Sequence, residues 1–126
     1  MSNALRQVKP SPAAVLSAAL AEAARRLGIR GSDLARIIGV SQPTASRLLA
    51  GTYRLKDGSK EWELATLLLR LYRSLHAIVG SRDDLVRSWL NSANRAFGEQ
   101  RPIDVIRSAQ GLVLACQYVD AHRAPL

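Results

Sequence analysis

The sequence predicts an all-α protein, and three observations carry that prediction. Ala, Leu and Arg, all good helix formers, are abundant, while aromatic residues make up only 5% of the 126 residues. Runs of alternating Val, Ile and Thr, the mark of strands, are absent. Apolar residues instead recur at helical spacing between serine starts and glycine stops. At 48% hydrophobic, a chain of this length buries one real core or two small coupled ones and is too apolar to be disordered.

The helices follow in order. MSNALRQVKP, residues 1–10, shows no periodicity and reads as a flexible N-terminus. Ser11 and Pro12 form a cap and first-turn proline for a helix running to about Leu27, with Val15, Leu16, Ala19, Leu20, Ala23 and Leu27 on one face and Gly28 at its end. Ser32 caps a short second helix, SDLARII, which Gly39 stops. Ser41 caps a third, QPTASRLLA, which Gly51 stops. After the basic connector TYRLKDGSK, Ser59 caps a long helix through Val79, closed by Gly80. On it Trp62, Ala65, Leu69, Tyr72 and either Leu75 or His76 return at helical spacing. Its Trp62, Leu69 and Tyr72 offer the largest apolar surface for pairing two copies. Ser81 and Asp84 stand in the S-x-x-D relation that caps a fifth helix, DDLVRSWL. A polar loop leads to Pro102, a short helix, and a last helix from about Ala109 to His122 with Leu112, Val113, Cys116 and Val119 inward.

Charge divides the chain. Of the net +8, residues 1–60 carry +7 and residues 61–126 only +1. A basic first half draws polyanions, nucleic acid above all, while a near-neutral, mixed-sign second half suits a protein partner. A single cysteine, Cys116, and the lack of a signal sequence predict a cytoplasmic protein without disulfides. LATLLLRLY carries Arg70 within it, so no run is long and apolar enough to span a membrane.

No enzymatic chemistry is expected, and no cofactor or metal. The two histidines, His76 and His122, have no partner at ligand spacing, and Cys116 lies on an apolar helical face as a small core residue. Asp83 and Asp84 serve as first-turn charges rather than a catalytic pair, and no phosphate-cradling glycine loop is present.

GSDLARIIGVSQPTASRLLAG meets the requirements of a helix-turn-helix together. Ala35 is small where the helices approach, Gly39 opens the turn, and Leu34, Ile38, Val40, Ala45 and Leu48 fix the crossing. In that geometry the second helix enters the major groove N-terminus first, presenting Ser41, Gln42, Pro43, Thr44, Ser46 and Arg47. Gln42 suits adenine and Arg47 guanine, while Arg36, Arg54, Lys56 and Lys60 suit phosphates. Residues 15–60 resemble the Xre or phage-repressor class of DNA-binding domains. Because one such unit reads a short half-site, a homodimer on a roughly palindromic operator is expected.

The second half resembles the C-terminal domain of the Xre, MbcA and ParS antitoxin family. The residues that carry the likeness are Trp89 and Leu90, Asn94, Phe97 and Gly98, PIDVI from Pro102 to Ile106, Gly111, and the apolar helix to Val119. Between Gly98 and Pro102 the chain reads Glu99, Gln100, Arg101, where a second glycine is frequent in the family. The resemblance implies an antitoxin that clasps a RES-domain toxin, keeps NAD from its active site with the C-terminal end, and represses the shared operon. It divides the chain into an N-terminus (1–10), a helix-turn-helix domain (11–60) and a helical toxin-binding and dimerisation domain (61–126). The expected toxin contacts are Asn94, Arg95, Phe97, Gly98, Arg101 and Pro102 in the loop and Ala121, His122, Arg123, Ala124, Pro125 and Leu126 in the tail. Arg95 and Phe97 are the expected anchors, since aromatic and Arg side chains dominate interface energetics, unless Phe97 faces its own core. The rival function is a free-standing dimeric repressor or DNA-organising protein whose second half only pairs copies. A toxin gene beside this one separates the two.

Overall fold

A computed structural model describes residues 9–123, among which seven α-helices and one 3-10 turn supply the regular structure. α1 (Pro12–Leu27) starts on Ser11, whose side chain accepts from the Ala14 amide, and ends where Gly28 turns to φ 69°. The next amide, that of Ile29, bonds back to the Ala24 carbonyl at 2.9 Å and draws Ile29 into the core. Arg30 is thereby left as the extended residue from which α2 (Gly31–Ile38) departs. Ser32, expected as its cap, lies inside the first turn instead, and no side chain caps this helix. Gly39 at φ 74° closes α2, and Ser41 caps α3 (Gln42–Leu49) through the Thr44 amide.

α4 (Lys60–Val79) begins on Ser59 as expected. Its end consumes two residues. Gly80 and Ser81 both take positive φ (66° each), and the Ser81 amide bonds to the His76 carbonyl at 3.0 Å. A residue held left-handed lacks the extended backbone an N-cap needs. Ser81 therefore does not cap α5 (Asp83–Asn91); Arg82 occupies that position without a side-chain cap. The 3-10 turn Arg95–Phe97, α6 (Pro102–Val105) and α7 (Ala109–Arg123) complete the chain.

One continuous core holds all seven helices. α2 and α3 pack as a pair, with Leu34, Ala35, Ile38, Ala45 and Leu48 buried between them and α1. α4 is the central member, touching α1 and α2 on one side and α5 and α7 on the other. Contacts ascend together along α4 and α7, from the Leu67 carbonyl at Cys116 to Arg70 and Ser74 at Asp120, so the two helices run side by side in the same sense. This position corrects two expectations. Leu69 is only 6% exposed and Trp62 and Tyr72 are half-buried, so α4 has no broad apolar face left for a second copy. On α7 the buried face is Leu112, Ala115, Cys116 and Val119, and Val113 points outward.

Gly111 explains how α6 and α7 come so close. A Cβ at this position would lie 1.9 Å from the Val105 carbonyl oxygen, so only a residue without a side chain fits. No helix among the described residues is long and apolar enough to cross a membrane.

Candidate functional site

The α2–α3 pair presents an outward face built from residues that serve no core purpose. Gln42, Pro43, Ser46 and Arg47 are exposed along α3, while Thr44 is half-buried. The Ser41 hydroxyl accepts from the Thr44 amide at 3.2 Å and donates to the Thr44 hydroxyl at 2.8 Å. Those two hydroxyls stabilise the helix start, leaving Gln42, Ser46 and Arg47 as its free outward groups. The far end of α3 is tied down by Arg25 of α1, whose guanidinium donates to the Leu49 carbonyl at 2.7 Å.

The connector after α3 is ordered by two internal bonds. The Leu55 amide donates to the buried Ser17 hydroxyl at 2.9 Å, and the Tyr53 hydroxyl donates to Glu61 at 2.7 Å. That bond to Glu61, with burial, raises the Tyr53 pKa above its ordinary value. With Leu55 buried and Tyr53 pinned, Arg54 and Lys56 project into solvent. Together with Arg36 and Lys60 they form exposed cationic groups that no ion pair among the described residues neutralises.

The loop between α5 and α6 closes on itself. The Asn94 side chain accepts from the Ala96 amide at 2.9 Å, its backbone amide donates to the Gln100 carbonyl at 3.0 Å, and its carbonyl accepts from Glu99 at 2.9 Å. Gly98 and Glu99 both take positive φ, 65° and 67°. Glu99 thus adopts the conformation a glycine supplies without strain. Phe97 is 8% exposed and stands edge-on to Trp89 and Tyr118, with centroids 6.1 and 5.2 Å away. Its ring pins the loop to α5 and α7, so of the two places open to it, partner anchor or its own core, Phe97 takes the core. Pro102 is likewise buried. Arg95 is fully extended into solvent, whereas Arg101 forms a two-pronged bond to Asp104 and holds that carboxyl below its ordinary pKa.

Beside this loop the structure shows a feature that the sequence did not reveal. An apolar groove of about 200 Å³ runs between the ends of α4, α5 and α7, walled by Leu75, Ile78, Val86, Trp89, Tyr118 and His122. Ile78 is 47% exposed at its rim, and the His122 ring stacks on Tyr118 at 4.3 Å. Ala121 is exposed at the end of α7, Arg123 is its last residue, and Ala124, Pro125 and Leu126 lie outside the described residues.

Polar ties from α5 and from the turn between α6 and α7 reach the first two helices. Arg107 reaches Asp33, in the first turn of α2, at 2.8 Å, and Arg87 donates to the Arg26 carbonyl at the end of α1 at 2.7 Å. The first pair is 74 residues apart in sequence and leaves no local signal there. His76 meets Asp83 at 2.5 Å beneath Tyr72, and Cys116 is buried with its thiol pKa raised by that burial. Among the described residues no cluster of side chains is arranged to hold a metal ion.

Comparison with known proteins places both halves. Residues 6–70 match the antitoxin Xre-like helix-turn-helix domain, and residues 74–124 match the antitoxin Xre/MbcA/ParS C-terminal toxin-binding domain. Among solved structures the chain is similar to one in the crystal structure of the M. tuberculosis MbcT–MbcA toxin–antitoxin complex, with a TM-score of 0.63 and 21% identity over 85% of this chain and 92% of that one. At that identity the likeness speaks for the fold. No curated protein matches. The two matched domains, in this order and covering nearly the whole chain, place it in the Xre/MbcA/ParS antitoxin family.

Proposed function

We propose that this antitoxin neutralises a RES-domain, NAD-consuming toxin by direct binding and represses their shared operon through α3. The observation that carries the reading is the coincidence of the matched toxin-binding domain, residues 74–124, with the groove between α4, α5 and α7, all of whose lining residues fall within it. A concave apolar site rimmed by Trp89 and Tyr118 is the kind of pocket in which a partner's buried anchor side chain concentrates binding energy. The exposed Arg95 and the tail residues from Ala121 to Leu126 also meet the toxin, and that tail denies NAD access to the toxin's active site. Asn94, Phe97, Gly98 and Pro102 hold the loop that shapes it, and Arg101 braces α6.

On the DNA side, Gln42 and Arg47 read bases while Arg36, Arg54, Lys56 and Lys60 meet phosphates. Ser41, Pro43, Thr44 and Ser46 set the approach of the helix. Two copies on a two-fold operator double the length of sequence read, in the cytoplasm where operator and toxin both lie. The testing experiment is co-expression with the product of the neighbouring gene. Toxicity relieved, the two proteins co-purifying, and the promoter silenced by the antitoxin support the reading. An untouched growth defect with no complex overturns it.

A further inference from the structure

We propose that a polar recess at the seam between the two halves holds one phosphate of the operator backbone, so that Arg101, from the toxin-binding half, shares a DNA contact with Arg30. The recess measures about 60 Å³ and lies where the turn from α1 to α2 meets the end of α5 and the start of α6. Arg30, Arg101 and Arg107 bring three guanidiniums to its wall and Asp33 one carboxylate.

Size and chemistry set the ligand class. Sites for cofactor-sized or drug-sized molecules run to about 300–1,000 Å³, so this recess takes only a small group. Its arginines select an anionic one, and their planar forks match phosphate oxygens. Their internal partners leave donors to spare, since each guanidinium carries five N–H groups. Arg101 gives two nitrogens to Asp104, while Arg107 gives one nitrogen to Asp33 at 2.8 Å and, more distantly, to Asp104 at 3.3 Å. The Arg107 Nε is buried without a hydrogen-bond partner among the described residues. Arg30 is exposed and enters no ion pair among them.

Position identifies the phosphate as one of DNA. Gly31 opens α2 directly after Arg30, and a Cβ there would stand 3.6 Å from the Ser46 hydroxyl on the outward face of α3. The recess therefore opens beside the helix that enters the groove, where a flanking backbone strand passes. Residues 61–126 carry only +1, yet three of their arginines gather at this seam. Arg101 and Arg107 line the recess, and the Arg87 Cδ lies 3.3 Å from where a Cβ on Gly28, in the same wall, would be. The inference rests on the proposed repressor role of α3, and it extends the DNA footprint onto the half that binds toxin.

The test is fluorescence anisotropy titration of the full chain with a duplex of about 30 base pairs from upstream of its own gene, at about 50 to 200 mM salt. Both arginines are exposed, Arg101 by 48%, so Arg30→Ala and Arg101→Gln keep the fold, which circular dichroism checks. Each single variant weakens binding by at least about threefold at the lowest salt. The double variant weakens it about fifteenfold at 50 mM and about fourfold at 200 mM, lowering the slope of log K against log salt by about one, the value for a single shared phosphate. Asp104→Asn releases donors on Arg101 and Arg107 and tightens binding about threefold or more, whereas Asp84→Asn, at the other end of α5, changes it by less than about twofold. Inorganic phosphate at about 10 mM, with ionic strength held constant, leaves the gap between wild type and double variant unchanged. A double variant with wild-type affinity and slope, alongside an Arg47→Ala protein that binds poorly, overturns the proposal and leaves the repressor role standing. Closure of the gap by inorganic phosphate also overturns it, assigning the recess to a free anion. A wild type that binds no duplex removes the repressor role and this contact with it.

Discussion

Replacing Phe97 by Ala separates a structural ring from an interface anchor. The ring is 8% exposed and makes edge contacts with Trp89 and Tyr118 at 6.1 and 5.2 Å. Truncating a buried Phe costs about 3–5 kcal/mol, of which each aromatic pair accounts for about 0.5–1.5 kcal/mol. The site lies near the surface beside a loop that can partly collapse, so the low end, about 3 kcal/mol, is expected. That is a large share of the roughly 5–15 kcal/mol that holds a domain folded. Urea denaturation followed by tryptophan fluorescence reads it directly, since Trp89 is in contact with the ring. Arg95→Ala, two residues away with a side chain 98% exposed, is the control and changes stability by no more than about 0.5 kcal/mol. A Phe97→Ala protein as stable as the wild type that nonetheless fails to capture the toxin refutes the reasoning and restores Phe97 as an anchor.

Gly111→Ala sets two effects against each other: helix propensity favours Ala by about 1 kcal/mol, but the new Cβ meets the Val105 carbonyl oxygen at 1.9 Å. Backbone cannot yield as a side chain tip does, so overpacking wins and stability falls by about 2 kcal/mol in thermal or urea unfolding. Arg47→Ala weakens operator binding by about 1–3 kcal/mol while sparing random DNA, whereas Lys56→Ala weakens all sequences alike and flattens the salt dependence in fluorescence anisotropy titrations. Asp104 has a carboxyl pKa depressed chiefly by its hydrogen bonds from Arg101, so its stabilisation is present above the unfolded value of about 3.9 and is lost as pH falls through the lower folded value. Asp104→Asn accordingly melts below the wild type at neutral pH, and the gap narrows in melts recorded below about pH 4.

Local chemistry made much of this fold legible. Ser11 with Pro12, Ser41 and Ser59 start helices where their hydroxyls can take an orphan amide, and Gly28, Gly39 and Gly80 stop them with positive φ. Where structure and local signal differ, a neighbouring element overrides that signal. The ending of α4 claimed Ser81 before α5 could use it, and burial of Ile29 started α2 before Ser32. The inward face of α7 is ambiguous in the sequence because a helix apolar on both sides has no unique phase, so spacing alone does not turn Val113 outward. The outward residues of α3 were recoverable because helix-turn-helix geometry fixes which side faces away. The groove was not. Its walls come from three helices between Leu75 and His122, and Ile78, three residues beyond buried Leu75 and four beyond buried Ser74, shares the inward phase of α4 yet lies exposed near its end, which no local pattern distinguishes from core.

The central claim, that the groove between α4, α5 and α7 grips the toxin, is tested most directly by calorimetric titration of the neighbouring gene's product with the wild type and with Ile78→Asp. Ile78 is 47% exposed, so the substitution leaves the fold and operator binding intact while placing a charge at the rim of an apolar site. The account predicts tight binding by the wild type and at least about a hundredfold loss in the variant, since burying an unpaired carboxylate in an interface costs several kcal/mol. Equal affinity for both proteins contradicts it and moves the toxin contact to another surface.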